Sequence, residues 1–98
     1  MIYLTHQQQV YQELRTALLD AEFEAAQHMS FMKKEVRLLN KRLNQLRAGE
    51  ITAQEYEKQR DLSEKKIESF TEEYKKQVER KFKVEFELAE MAKEFINF

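Results

Sequence analysis

The chain has 98 residues, 36% of them charged and 42% hydrophobic, with 17 Lys and Arg against 18 Asp and Glu. With one glycine, no proline and no cysteine, it excludes disulfides, thiolate metal sites, thiol nucleophiles and glycine-rich phosphate loops. This is the balance of a coiled-coil or long-helix protein in one domain over residues 1–98, and a net charge of −1 argues against bulk attraction to nucleic acid.

At the N-terminus, Met1-Ile2-Tyr3-Leu4-Thr5 has no basic stretch followed by an apolar core. No cleaved signal peptide is expected, and the expected compartment is the cytoplasm, with signal-peptide-independent secretion as the alternative. Nowhere is there an apolar run of the roughly 18 residues a membrane span needs.

Thr5-His6-Gln7-Gln8 matches a capping box, in which the threonine caps a helix and the glutamine reaches back to the threonine N–H. No breaker follows until Gly49, so the first helix is expected over about 5–48, a length of ~60 Å. Gly49 suits the left-handed residue that closes a helix C-terminus. Thr52-Ala53-Gln54-Glu55 is a second capping box, flanked by Ile51 and Tyr56 as a hydrophobic staple. The turn is therefore expected at 49–52 and the second helix over about 53–97. So short a connection sets the two helices antiparallel and adjacent.

Apolar positions on the two sides of Gly49 mirror each other. Leu43 and Tyr56, Met32 and Ile67, Met29 and Phe70, Ala25 and Tyr74, Ala21 and Val78, Tyr11 and Leu88, and Leu4 and Phe95 come level when the chain folds back. From Met29 the first helix follows the 3-4 heptad spacing through 32, 36, 39, 43 and 46. Upstream it shifts to 4-4 at Ala21, Ala25 and Met29, a stutter that unwinds a left-handed supercoil. The second helix makes the same shift at Phe70, Tyr74 and Val78. The fold class is thus all-α: a long, coiled-coil-like antiparallel two-helix hairpin. One stretch, Lys81 to Leu88, alternates polar and apolar residues as a strand does. It is read as a helix with two apolar faces, because no turn residue is near to release a strand.

The mirror fails beside the turn, where Val36 and Leu39 meet Ser63 and Arg60. Phe31 and Leu38 continue a second apolar line there. At the open end Tyr3, Phe95 and Phe98 cluster, and Val84, Leu88 and Met91 are expected to extend that patch along the outer face. Uncovered apolar surface of this kind marks an interface, and small chains with thin cores need a further stabiliser. These ten residues are the expected contacts. The expected partner is a protein or a second copy, most simply a homodimer completing a four-helix bundle.

Residues 33–66 carry ten Lys and Arg against six Asp and Glu, and the remainder seven against twelve. Lys33, Lys34, Arg37, Lys41, Arg42 and Arg47 hold most of the positive charge. Read plainly, they form a solvated face paired with Glu55, Glu57, Asp61 and Glu64. Read sharply, they are a basic tip, with Lys33, Lys34, Arg37, Lys41 and Arg42 as contacts for an anionic partner. The tip lacks the interleaved aromatics that stack on single strands, which argues against nucleic acid.

Little in the sequence supports catalysis. The hydroxyls are few, and two of the threonines are explained as helix caps. Glu72-Glu73 lies on an exposed helix with no pocket to raise a carboxyl pKa. Glu24 and His28, four apart, with Glu68 and Glu72 at similar height, form the one metal-like set. The helical-bundle metal pattern is a repeated Glu-x-x-His, so the pair is read as part of a polar outer face. No cofactor is expected and no enzymatic activity.

Leu46 to Lys58, read as Leu-Arg-Ala-Gly-Glu-Ile-Thr-Ala-Gln-Glu-Tyr-Glu-Lys, resembles the turn of the short C-terminal helical motif. The whole plan, folded at a central glycine, resembles the secreted helical hairpins named for a Trp-x-Gly turn. Arg47-Ala48-Gly49 stands where that group has its tryptophan, and Phe86 and Glu90 echo its aromatic-x-x-x-acid export signal. The function expected is a non-enzymatic protein–protein interaction module: an adaptor, an assembly factor or a secretion-type or phage-type chaperone. The alternatives are a nucleic-acid-binding accessory protein using the basic tip, and a structural coiled-coil scaffold.

Overall fold

The computed structural model describes residues 5–96, with side chains to residue 94. It is a helical hairpin of two elements, α1 (His6–Arg47, 42 residues) and α2 (Ala53–Ile96, 44 residues). Among the described residues there is no strand.

Both capping boxes form. Thr5 N–H donates to Gln8 Oε1 at 2.9 Å while Gln8 N–H donates to Thr5 Oγ1 at 3.2 Å. At the second helix Thr52 N–H donates to Glu55 Oε2 at 3.3 Å and Glu55 N–H to Thr52 Oγ1 at 3.1 Å. Each box satisfies two groups that a helix start otherwise leaves open.

The reversal is a Schellman motif. Gly49 has φ +75°. Its N–H donates to the Leu46 carbonyl at 3.0 Å, and Glu50 N–H donates to the Gln45 carbonyl at 2.9 Å. This is the bond pair that ends a helix on a left-handed residue. Ala48 keeps a helical bond to the Asn44 carbonyl at 3.0 Å, so α1 stops because Gly49 turns.

The chain divides into two compact units, each containing a stretch of both helices. One runs up to Ala25 and from Lys75 onward; the other, the turn unit, is Ala26–Tyr74. In the turn unit the pairing is antiparallel. Lys66 Nζ lies 3.8 Å from Glu35 Oε1, and Phe31 packs on Phe70 with ring centroids 5.3 Å apart. The Thr71 hydroxyl donates to its own helix at the Ile67 carbonyl, 2.7 Å away, and lies 3.1 Å from Met32 Sδ. Phe70 thus packs on Phe31, whereas the mirror set it against Met29. In the open-end unit Lys81 Nζ bridges Glu22 and Glu85 at 3.8 Å each.

Burial is slight. Among the described residues only Ala21, fully covered, and Val84, 8% exposed, count as buried, both in the open-end unit. Most other large apolar residues of the inner faces are half-buried, while Tyr11 and Val36 are exposed. Two helices side by side cover only a stripe of each other, so most of each circumference faces solvent.

The alternating stretch 81–88 is helical. A helix sends Val84 and Leu88 to one face and Phe82 and Phe86 to another, because residues four apart share a face and residues two apart do not. Val84 therefore points inward, and Leu88 and Met91 are half-buried. This corrects the expectation that all three lie on the outer face. Tyr11, expected against Leu88, is 43% exposed.

A Cβ added at Gly49 would meet nothing within 4 Å, so substitution there tests backbone conformation alone. Gly49→Ala is expected to cost about 1–2 kcal/mol, the penalty of the left-handed region for an L-residue, with Gly49→Asn costing less. Urea unfolding of the three proteins side by side measures this; equal stabilities would refute the turn geometry.

Candidate interaction surface

In the turn unit the expected contacts separate onto different faces of α1. Phe31 and Leu38 are seven residues apart and share a face, each 38% exposed. Val36 is 46% exposed, but it lies about 160° around the helix from Leu38 at 3.6 residues per turn. Leu39 is half-buried. The tip thus presents two apolar flanks. Leu62 of α2, 60% exposed, has no counterpart among the mirror pairs.

On Val36's side, Met29, Met32 and Val36 line a shallow crevice of about 410 Å3 with Lys33 and Arg37 at its rim. Methionine side chains adapt readily to what packs against them. On the Phe31 side, His28 sits in an aromatic cluster, 6.1 Å from the Phe31 ring and 6.4 Å from the Phe70 ring, centroid to centroid. Its Nδ1 is buried without a hydrogen-bond partner. His28 is therefore half-buried among rings, which corrects its placement on a polar outer face. Among the described residues no group of three or more His, Cys, Asp or Glu could hold a metal ion.

The basic residues also differ from the plain reading. Among the described residues, Lys33, Lys34, Arg37, Lys41, Arg42 and Arg47 make no ion pair and no side-chain hydrogen bond. Three of the four carboxylates meant to neutralise them are engaged elsewhere, and Glu57 has no ion pair among the described residues. Glu55 closes the α2 cap, and Asp61 and Glu64 both lie 3.8 Å from Arg60 on their own helix. The physical reason is spacing: Lys33, Arg37 and Lys41 recur every four residues on one face, and Glu35, the lone carboxylate among residues 33–48, pairs with Lys66. Asn40, Lys41, Asn44 and Arg37 also border an open crevice of about 600 Å3.

In the open-end unit the exposed apolar residues are ones the inward stripe does not contain. Leu19 and Phe23 of α1 are 60% and 70% exposed, and Phe82 and Phe86 of α2 are 62% and 66% exposed. Each pair is four apart and forms a ridge. Leu19 and Phe23 form a second line beside Ala21 and Ala25, at a spacing of four but outside the helix-pairing positions. Tyr3 and Phe98 lie outside the described residues, as does the side chain of Phe95. No helix among the described residues is long and apolar enough to cross a membrane.

The orphaned imidazole nitrogen makes a clear prediction. His28→Phe keeps an aromatic ring in the cluster and removes the unpartnered polar atom. The variant is expected to gain about 1 kcal/mol, the order of an unsatisfied buried group, read from the midpoint of urea unfolding; a loss would mean that the nitrogen has a role in the fold.

No protein-family model matches the chain, so neither family resemblance is supported as membership, and no curated protein or solved structure matches it with significance.

Proposed function

We propose that this protein is a non-enzymatic interaction module that acts by lending its uncovered helix faces to another protein surface. The observation that carries the reading is the near absence of a core: two buried residues in the described chain, both in one unit, beside nine large hydrophobic side chains left exposed. Small domains with so little buried surface are marginal alone and gain stability from association. Burying apolar area contributes about 25 cal/mol per Å2, so a few hundred Å2 rivals the whole stability of a small domain. Adaptor, assembly-factor and chaperone roles all use such a surface.

Phe31 and Leu38 form the contact face proposed at the tip, with Val36 and its methionine crevice as a second. Light scattering across a concentration series tests this. Stable complexes, with itself or with an added partner, are expected, and Leu38→Glu is expected to weaken those made through the tip. Leu38 is the better probe than Leu39, which is half-buried and whose replacement would disturb the hairpin itself. A chain that stays folded, monomeric and without partners at every concentration would overturn the reading.

The six unpaired cations favour one refinement: the partner of the α1 tip carries negative charge. An acidic protein surface meets this, and so does a nucleic acid, the second reading. A gel shift separates them. Binding to nucleic acid at low salt that falls steeply as salt rises is the signature of phosphate neutralisation. No shift at low salt leaves the acidic protein surface as the reading.

A further inference from the structure

The segment Lys81-Phe82-Lys83-Val84-Glu85-Phe86-Glu87 is a palindrome in which charge changes sign about Val84. Read outward from Val84, each lysine on one side answers a glutamate on the other, and Phe82 answers Phe86. The whole segment lies within α2. Val84 is buried against the inside of its unit, whereas Phe82 and Phe86 stand 62% and 66% exposed. Among the described residues neither of those rings contacts another ring, and neither Lys83 nor Glu87 has an ion-pair partner.

We infer that this ridge is a self-complementary contact in which the α2 helices of two copies pack antiparallel about a two-fold axis at Val84. The inference rests on the interaction-module reading and names a second copy as the occupant of this face. An antiparallel approach sets Phe82 of each copy against Phe86 of the other. It brings Lys83 within a turn of Glu87 of the second copy, on the same flank of the ridge. A parallel approach would oppose lysine to lysine and glutamate to glutamate, which costs free energy instead of supplying it. The same patch meeting itself is what a two-fold dimer requires, and it closes at two chains.

The occupant follows from this sign reversal. A heterologous partner needs no palindrome, whereas a copy of the same chain running the other way matches every position of it. The scale of the contact is modest. Four phenyl rings bring on the order of 600 Å2 of aromatic surface, and the flanking lysine and glutamate stems add to it. That is smaller than the roughly 1,000 Å2 of a stable interface, so the pairing is weak and depends on concentration.

Charge exchange tests the register. Lys83→Glu makes the ridge wholly acidic at 83 and 87, and Glu87→Lys makes it wholly basic there. Each variant alone is expected to raise the dimer dissociation constant by about tenfold or more. Mixed one to one, or combined as Lys83→Glu with Glu87→Lys in one chain, they are expected to restore it. Analytical ultracentrifugation reads the constants, with circular dichroism confirming helicity. A second variant, Phe82→Ser with Phe86→Ser, changes exposed residues only and is expected to abolish the dimer.

The inference is overturned if the charge-reversed chains dimerise as the parent does, or if restoration fails. A dimer that survives both ridge variants but is lost on Leu38→Glu also overturns it, while leaving the interaction-module reading intact. A parent chain that is monomeric throughout the concentration series overturns it too; the module reading then depends on a different partner.

Discussion

One backbone conformation makes the pairing of α1 and α2 possible. Gly49 at φ +75° takes the chain out of the right-handed helical region, where every residue of α1 lies, and its N–H with that of Glu50 closes the last open carbonyls of that helix. A side chain at that φ is penalised sterically, and the chain has a single glycine. The site of reversal is therefore unique. Three residues later the Thr52 and Glu55 box starts α2 before the chain can wander. The turn, not the packing, sets which residues come level.

Once the helices pair, the geometry of two cylinders limits what they can hide. Each offers a stripe to the other and exposes the rest. This explains why Ala21 and Val84 are the buried residues among those described, and why most of the inner-face tyrosines, leucines and methionines are half-covered. It also explains why charged residues bridge the helices at the flanks, as Glu35 and Lys66 do in the turn unit and Glu22 and Lys81 in the open-end unit. The Glu22–Lys81 pair is open to solvent and adds little to stability, whereas the Glu35 carboxylate is the more sheltered, with its lysine in solvent.

The surface left over is patterned in kind. In the turn unit unpaired cations stand around a methionine crevice, and apolar side chains occupy the opposite flank. In the open-end unit aromatic ridges stand among mixed charges. Exposed phenylalanines four residues apart and cations without a neighbouring carboxylate are the features that support the proposal of an interaction module.

Local chemistry was fully legible in the residues themselves: both capping boxes, the glycine reversal and the 3-4 spacing rest on interactions within one turn of helix, so neighbours in sequence decide them. The hairpin and its near-mirror pairing follow from those. What only the tertiary structure decided was which apolar residues face inward. Val84 was expected outside and is buried, because α2 turns that side to α1. Leu19, Phe23, Phe82 and Phe86 emerge as exposed ridges because the partner helix covers only one stripe. His28 joins Phe31 and Phe70 because Phe70 arrives from 42 residues away. The pairing of Lys66 with Glu35, and the diversion of Asp61 and Glu64 to Arg60, left the α1 cations alone. Such outcomes depend on the rotation of one helix against another, which periodicity constrains only to a broad stripe and side-chain packing then settles.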